Sequence, residues 1–136
     1  MLALEIPQAT LNEMIEQAKA EAPIEACGVL AGSMQRVQRL YRMSNVDGSC
    51  DHFMMEPAEQ FRVAKDIRAA GLQMLAIYHS HPETPARPSA EDIRLALTSD
   101  VAHVILSLQD AGRPQARGFD IQDGMVTEIE LKIVNQ

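Results

Sequence analysis

Apolar positions recur along this chain at two distinct periods, and each change of period marks an element. Between Gln8 and Ala22, the residues Leu11, Met14, Ile15 and Ala18 fall at helical spacing, with Thr10 or Gln8 near the start and Pro23 just past the end. Ala26 to Ala31 is a short apolar run closed by Gly32, which predicts a buried strand. Val37 to Met43 alternates loosely and predicts a second strand, followed by the polar turn Asn45-Val-Asp-Gly-Ser. His52 to Met55 predicts a brief strand. Pro57 then opens a helix through Ala70, paced by Phe61, Ala64, Ile67 and Arg68 and stopped by Gly71. Leu72 to Tyr78 predicts a central strand that runs straight into His79-Ser80-His81-Pro82. Pro82, Pro85 and Pro88 make the next loop stiff and non-helical. Ser89 starts a helix through about Leu97, and Val101 to Leu108 predicts another buried strand. Gly118–Ile121 and Met125–Val134 predict two last strands joined at Asp123-Gly124, a hairpin signal. This mixed order predicts an α+β (α/β-like) fold, a single mixed β-sheet flanked by helices.

Composition narrows the partners. At 136 residues the chain is expected to form one domain able to bury a core without staples. Lys plus Arg number 12 against 19 for Asp plus Glu, a formal net charge of -7. That balance excludes a nucleic-acid backbone, which needs clustered cations, and an anionic membrane surface. No apolar run is long enough to cross a bilayer. Met1 to Pro7 has neither a basic stretch nor a long apolar core, so the expected compartment is cytoplasmic. Cys27 and Cys50 are then expected as free thiols. Trp is absent and aromatics are 4%, too few for a base-stacking platform.

The segment that carries chemistry is His79-Ser80-His81-Pro82, followed by Ser89-Ala90-Glu91-Asp92. If His79 and His81 continue the preceding strand, period-2 alternation points both imidazoles to one face. The proline-rich loop can turn the chain so that Asp92, one turn into the next helix, aims at the same point. Two histidines and a carboxylate make the ligand count of a catalytic zinc site, which keeps a fourth position for water. A proton acceptor is still needed, and Glu25 stands where the first helix gives way to an apolar strand, an odd place for a charge without a task. Ser89 is the candidate to hydrogen-bond a carbonyl oxygen as it takes up negative charge.

These residues together resemble the JAMM motif of MPN-domain metalloproteases: Glu25, then His79-Ser80-His81-Pro82, then Ser89-x-x-Asp92, in order and at the family's spacing. The words Pro-Ile-Glu-Ala-Cys-Gly-Val-Leu-Ala-Gly and Pro-Ser-Ala-Glu-Asp-Ile are similar to the short prokaryotic branch. The resemblance implies one catalytic domain over residues 1–136, with a sheet and flanking helices similar to the cytidine-deaminase fold. It implies His79, His81 and Asp92 as ligands of Zn²⁺, Glu25 as general base and then acid, and Ser89 as the oxyanion group. It implies hydrolysis of a peptide or isopeptide bond after the C-terminal Gly-Gly of a ubiquitin-like or sulfur-carrier protein, releasing an adduct such as cysteine. For a chain of this length, a small carrier tail is expected over polyubiquitin.

Plainer readings stand beside each motif. Ser89-x-x-Asp92 is also a capping box, and a zinc-bound Asp92 is not expected to make a full cap contact as well. His79 and His81 could be strand-end histidines bonded to backbone, and Glu25 the polar end of a turn. Cys27 is expected as a small buried residue and His103 as a packed, hydrogen-bonded one. His52 and Glu56 are expected in an exposed loop. Glu59, Arg62, Lys65, Asp66 and Arg68 are expected to form a solvated helix face. Two rival functions are a zinc hydrolase or deaminase-type enzyme acting on a small-molecule amide and a non-catalytic MPN binding module. A free sheet edge is expected to be available for a homodimer or for an extended tail.

Overall fold

The computed structural model describes residues 2–96 and 100–135. Among the described residues the order is β1 (Ala3–Pro7), α1 (Gln8–Glu21), β2 (Cys27–Ser33), β3 (Arg36–Met43), α2 (Pro57–Ala69), β4 (Gln73–His81), α3 (Ala90–Arg94), β5 (Ala102–Ser107), β6 (Gln115–Gln122) and β7 (Met125–Val134). The strands run β1-β3-β2-β4-β5-β6-β7 and close into a barrel.

Closure corrects the open sheet expected from sequence, and β1 is its cause. Its five residues alternate so that Leu4 and Ile6 are buried, and it pairs in parallel with β7 from Ala3↔Glu130 to Pro7↔Val134. Its other side meets β3 only at Glu5↔Arg36. The free sheet edge expected for dimerisation or tail binding is therefore taken up, with β1–β3 as the short seam. Two apolar positions in five residues, ended by Pro7, are too weak a pattern to announce a strand.

The wall formed by β4 separates two apolar regions. Tyr78 and Ala76 face the main core, with Leu4, Ile6, Leu30, Val104, Leu106 and the α1 residues Met14 and Ala18. Ile77 faces the other way and packs with Val29, Met55 and Ile67 under α2. A third cluster joins Ala86, Ile105, Phe119 and Ile121, and Ile93 and Ala96 of the α3 region pack against it. That last contact holds a short helix in place. The polar face of α2 does more than face solvent: Glu59 accepts from Ser44 N and Oγ, each at 2.8 Å, and Asp66 accepts from Arg39 and Tyr41 of β3.

The remaining expectations hold with small shifts of boundary, apart from two. His52 to Met55 contributes only an isolated bridge, Asn45↔Met55, in place of a strand. α3 ends at Arg94, and Leu97 of the expected helix lies outside the described residues.

One buried polar chain ties α1 to the strands that carry the chemistry. Tyr78 Oη donates to Gln17 Oε1 at 2.6 Å, and Gln17 Nε2 donates to the Cys27 carbonyl at 3.0 Å. Gly28 lies opposite Tyr78, where a Cβ would come within 2.9 Å of the tyrosine ring and 2.7 Å of the Tyr41 carbonyl. Tyr78→Phe leaves Gln17 Oε1 buried without its donor. It should lower the free energy of unfolding by about 1–3 kcal/mol in urea denaturation, while the fold and the m-value persist.

Candidate metal centre

β4 continues through His79 and His81, so both side chains leave the strand on one face. Ser80 between them points the opposite way, fully buried, and its Oγ accepts from Ala26 N at 2.8 Å while Ser80 N donates to the Ala26 carbonyl at 2.9 Å. This fastens the histidine strand to the residue after Glu25. After Pro88 the chain enters α3, whose N-cap is Ser89. Asp92 at N3 reaches back toward β4, and its Oδ2 stands 3.3 Å from His79 Nε2 and 3.1 Å from His81 Nε2. The two Nε2 atoms are 3.1 Å apart.

His79 and His81 are buried and Asp92 is half-buried, and one donor atom from each lies within 4.8 Å of the others. Donors bound at ~2.0–2.1 Å in a tetrahedron stand ~3.3 Å apart, so these distances fit a zinc ion sharing all three. The donor chemistry fits as well: two imidazole nitrogens and one carboxylate oxygen leave a fourth position open. His81 is oriented from behind, its Nδ1 lying 2.8 Å from the Pro85 carbonyl, the outer contact usual for a ligating histidine. His79 Nδ1 has no such partner; its ring instead stacks on Phe53, with centroids 4.7 Å apart.

The capping box and the cluster use the same residue at the same time. Ser89 Oγ accepts from Asp92 N at 3.0 Å, and Asp92 Oδ2 accepts from Ser89 N at 2.9 Å while facing both histidines. One carboxylate oxygen can serve the cap and face the histidines together, since it has more than one lone pair. Ser89 is exposed, and its hydroxyl proton is not consumed by the cap contact, which uses the oxygen as acceptor.

Glu25 lies between α1 and β2 and is 2% exposed. Its backbone N donates to the Ser49 carbonyl at 2.8 Å, and its Oε1 is buried without a partner. Burial pushes its carboxyl up to about 8; the positive charge of His81 opposes this, and Asp92 and Asp51 add to it. Burial would raise Asp92 too, but the hydrogen bonds with His79 and His81 hold it well below the usual carboxylate range. Burial lowers His79, while His81 is raised, its bonds to Asp92 and Pro85 outweighing burial.

Sequence reasoning missed two residues that position these groups. Asn45 Nδ2 donates to the Glu25 carbonyl at 3.1 Å and to the His52 carbonyl at 3.0 Å, and its Oδ1 accepts from Met54 N. It thereby folds the 45–55 segment across the site and sets Phe53 on His79. Only the turn signal at Asn45 hinted at this. Cys27 is buried, with burial pushing its thiol up to about 12, and neither cysteine is paired. Glu56 caps α2, accepting from Glu59 N at 2.7 Å. His52 is flanked by Asp47 and Asp51, and the bond with Asp51 raises it. His103 departs from expectation, because its Nε2 is buried with no hydrogen-bond partner.

Comparison with known proteins agrees with this geometry. Over 128 residues the chain is 37% identical to the CysO-cysteine peptidase of Mycobacterium tuberculosis, covering 93% of this chain and 88% of that one. It is 38% identical over 96 residues to a probable TtuB-protein conjugate cleaving protease of Thermus thermophilus, covering 70% and 64% of the two chains. The solution structure of protein DSY2949 from Desulfitobacterium hafniense matches with a TM-score of 0.90 at 39% identity, over 98% of this chain and 94% of that one. A structure described as "JAMM: A Metalloprotease-like Zinc Site in the Proteasome and Signalosome" shares the fold, with a TM-score of 0.59 at 22% identity over 95% and 97%. Fold and relatives together define a JAMM-type peptidase. More particularly, the chain belongs to the prokaryotic homologs of the JAB domain, whose family model matches residues 7–120.

The Glu25 environment has a thermodynamic consequence in metal-free protein. A carboxyl at about 8 when folded, against an ordinary 4.5, favours the folded state while it is protonated. That contribution is full below pH 4.5 and is lost as pH rises through about 8. Glu25→Gln, which keeps the neutral shape, should therefore gain in melting temperature over chelator-treated wild type as pH rises across this window. A gap that stays constant or narrows with rising pH would contradict the assignment.

Proposed function

We propose that this domain, over residues 1–136, is a zinc peptidase that cuts the bond after a C-terminal diglycine of a ubiquitin-like or sulfur-carrier protein, releasing an amino-acid adduct such as cysteine. The observation that carries the reading is the convergence of His79 Nε2, His81 Nε2 and Asp92 Oδ2 at tetrahedral-edge spacing, with the protonatable Glu25 buried nearby. The name of the mycobacterial relative supports the substrate class, and that of the Thermus relative supports protein conjugates as a wider set. The parallel pair β4–β5, with α3 between them, supports the further likeness to the cytidine-deaminase fold. No helix of the described residues is long and apolar enough to cross a membrane.

When bound, zinc supplies Lewis acidity, lowering the pKa of water and polarising a carbonyl. The protein supplies the proton traffic and the alignment. Glu25 offers an unpartnered Oε1 that accepts the proton of the attacking water and passes it to the leaving amine nitrogen. Its buried, unpartnered carboxyl oxygen is free to take a proton and to give it up again. Ser89 Oγ, its oxygen engaged by Asp92 N, turns its hydrogen to the oxygen of the scissile carbonyl. Asn45 and Ser80 hold Glu25 in register with the histidines through the one peptide group that follows it, Asn45 donating to its carbonyl and Ser80 accepting from its N–H.

The test uses a carrier ending in Gly-Gly-cysteine and the zinc-loaded enzyme. Wild type should cleave it, and a chelator should abolish cleavage until zinc is restored. Glu25→Gln should retain one zinc per chain and lose ~10²–10⁴-fold in kcat, the range for general acid–base catalysis. His81→Ala should lose the metal itself. Zinc-loaded wild type that leaves every carrier fusion intact but hydrolyses a free small amide would overturn the substrate reading in favour of a small-molecule enzyme.

A further inference from the structure

The same face of the barrel that presents the histidines continues beyond them. β4 and β5 pair in parallel, with His79 opposite Ile105 and Ile77 opposite His103. His103 therefore stands on the histidine face, two residues along the sheet from the metal cluster. It lines a hollow with Phe53, Ile77, Asp92 and Leu95, so this hollow borders the cluster at Asp92. A second hollow, lined by Val29, Phe61 and Met74, shares Met55, Gln60 and Ile77 with the first. The two make one mostly apolar groove leading away from the metal cluster beneath α2.

His103 is the anomaly in this groove. Its Nε2 is buried and makes no hydrogen bond, a state that costs free energy and calls for a partner the free protein does not provide. Burial disfavours its charged form. A neutral imidazole offers one donor and one acceptor and no charge. Its natural partner is a peptide group, not a carboxylate, especially beside the carboxylate of Asp92.

Spacing selects which peptide group. A two-residue offset on a strand is ~7 Å, and an extended peptide covers the same distance with two residues. A single amino-acid leaving group is too short to reach that far or to fill the groove beyond. The groove length therefore matches the carrier side of the bond. We propose that His103 is a substrate-contacting specificity residue whose Nε2 pairs with a backbone peptide group of the carrier tail, two residues from the bond that is cut. This rests on the carrier-tail reading above.

His103→Leu and His103→Gln are compared with wild type, all zinc-loaded, on the carrier-Gly-Gly-cysteine fusion. His103→Leu should raise KM about tenfold, the size of one lost hydrogen bond, with a much smaller change in kcat. His103→Gln, which keeps a donor and an acceptor, should recover most of that loss. The melting temperature of the Leu variant should equal or exceed wild type, because an unsatisfied buried nitrogen has been removed. In zinc-loaded Glu25→Gln, which does not turn substrate over, the His103 imidazole nitrogen resonances should shift when the uncleaved fusion is added. An unchanged KM in His103→Leu, or a silent imidazole on saturation with the fusion, overturns the inference while wild-type cleavage leaves the parent reading intact. Absence of wild-type cleavage would instead remove the parent reading.

Discussion

The site depends on a backbone constraint before it depends on any charge. In a strand, neighbours point to opposite faces, so a residue between two histidines must face away from them. Here that residue is Ser80, and it uses its position to grip Ala26 through both its Oγ and its backbone N. β4 is thereby fixed against the chain immediately after Glu25. The acid and the histidines come from segments 54 residues apart at this contact, yet their relative placement is set by a pair of bonds at 2.8 and 2.9 Å. Packing then protects those bonds, since Ser80 and Ala26 are both fully buried. Moving Glu25 relative to His79 would mean breaking them in a place that water does not reach.

Electrostatics is built on that frame by unequal burial and unequal partners. Three carboxylates stand in or near the site, and each has a different environment. Asp92 has the histidines and the Ser89 N–H and stays ionised, as a ligand must. Glu25 has almost no hydrogen-bonding partners and is pushed up to about 8, so it can carry a proton. Asp51 is solvated and bonded to Ser49 and His52, which lower it. One short helix makes the first of these possible. A five-residue helix has little stability of its own, but one carboxylate oxygen, Asp92 Oδ2, both accepts from Ser89 N and faces the two histidines. Its apolar side is held by the cluster around Ile105 and Phe119.

How much of this was legible follows from the range of the interactions. The helices α1 and α2 and the strands β2 to β5 were readable because period and punctuation are local. The convergence of His79, His81 and Asp92 was readable because strand alternation and the stiff turn after it are local features. β1 was not, since its identity as a strand rests on pairing with β7, the last strand in the chain. Barrel closure was lost with it. Asn45 and Phe53 were passed over for a related reason: each acts on a residue distant in sequence, and an isolated Asn or Phe carries no spacing signal. His103 was misread because an imidazole in an apolar strand is ordinarily satisfied, and only coordinates reveal that this one is not.

The interior position of β4 also limits how an extended tail can be held. β4 is bonded on one side to β2 and on the other to β5, so the strand that carries the histidines has no free edge. A tail cannot reach the histidines by adding itself to that strand. It must lie across the face of β4 and β5, where its backbone amides would meet mostly apolar side chains. An extended peptide on such a surface loses water from its N–H and C=O groups and needs polar partners in return. Partners are scarce there. Gln60 Nε2 is already given to the Met55 carbonyl, and His52 is occupied by Asp47 and Asp51. The unpartnered nitrogen of His103 is therefore placed where a bound tail needs it, and the interior position of β4, which leaves no edge to pair with, explains why a lone polar atom beneath that face can matter.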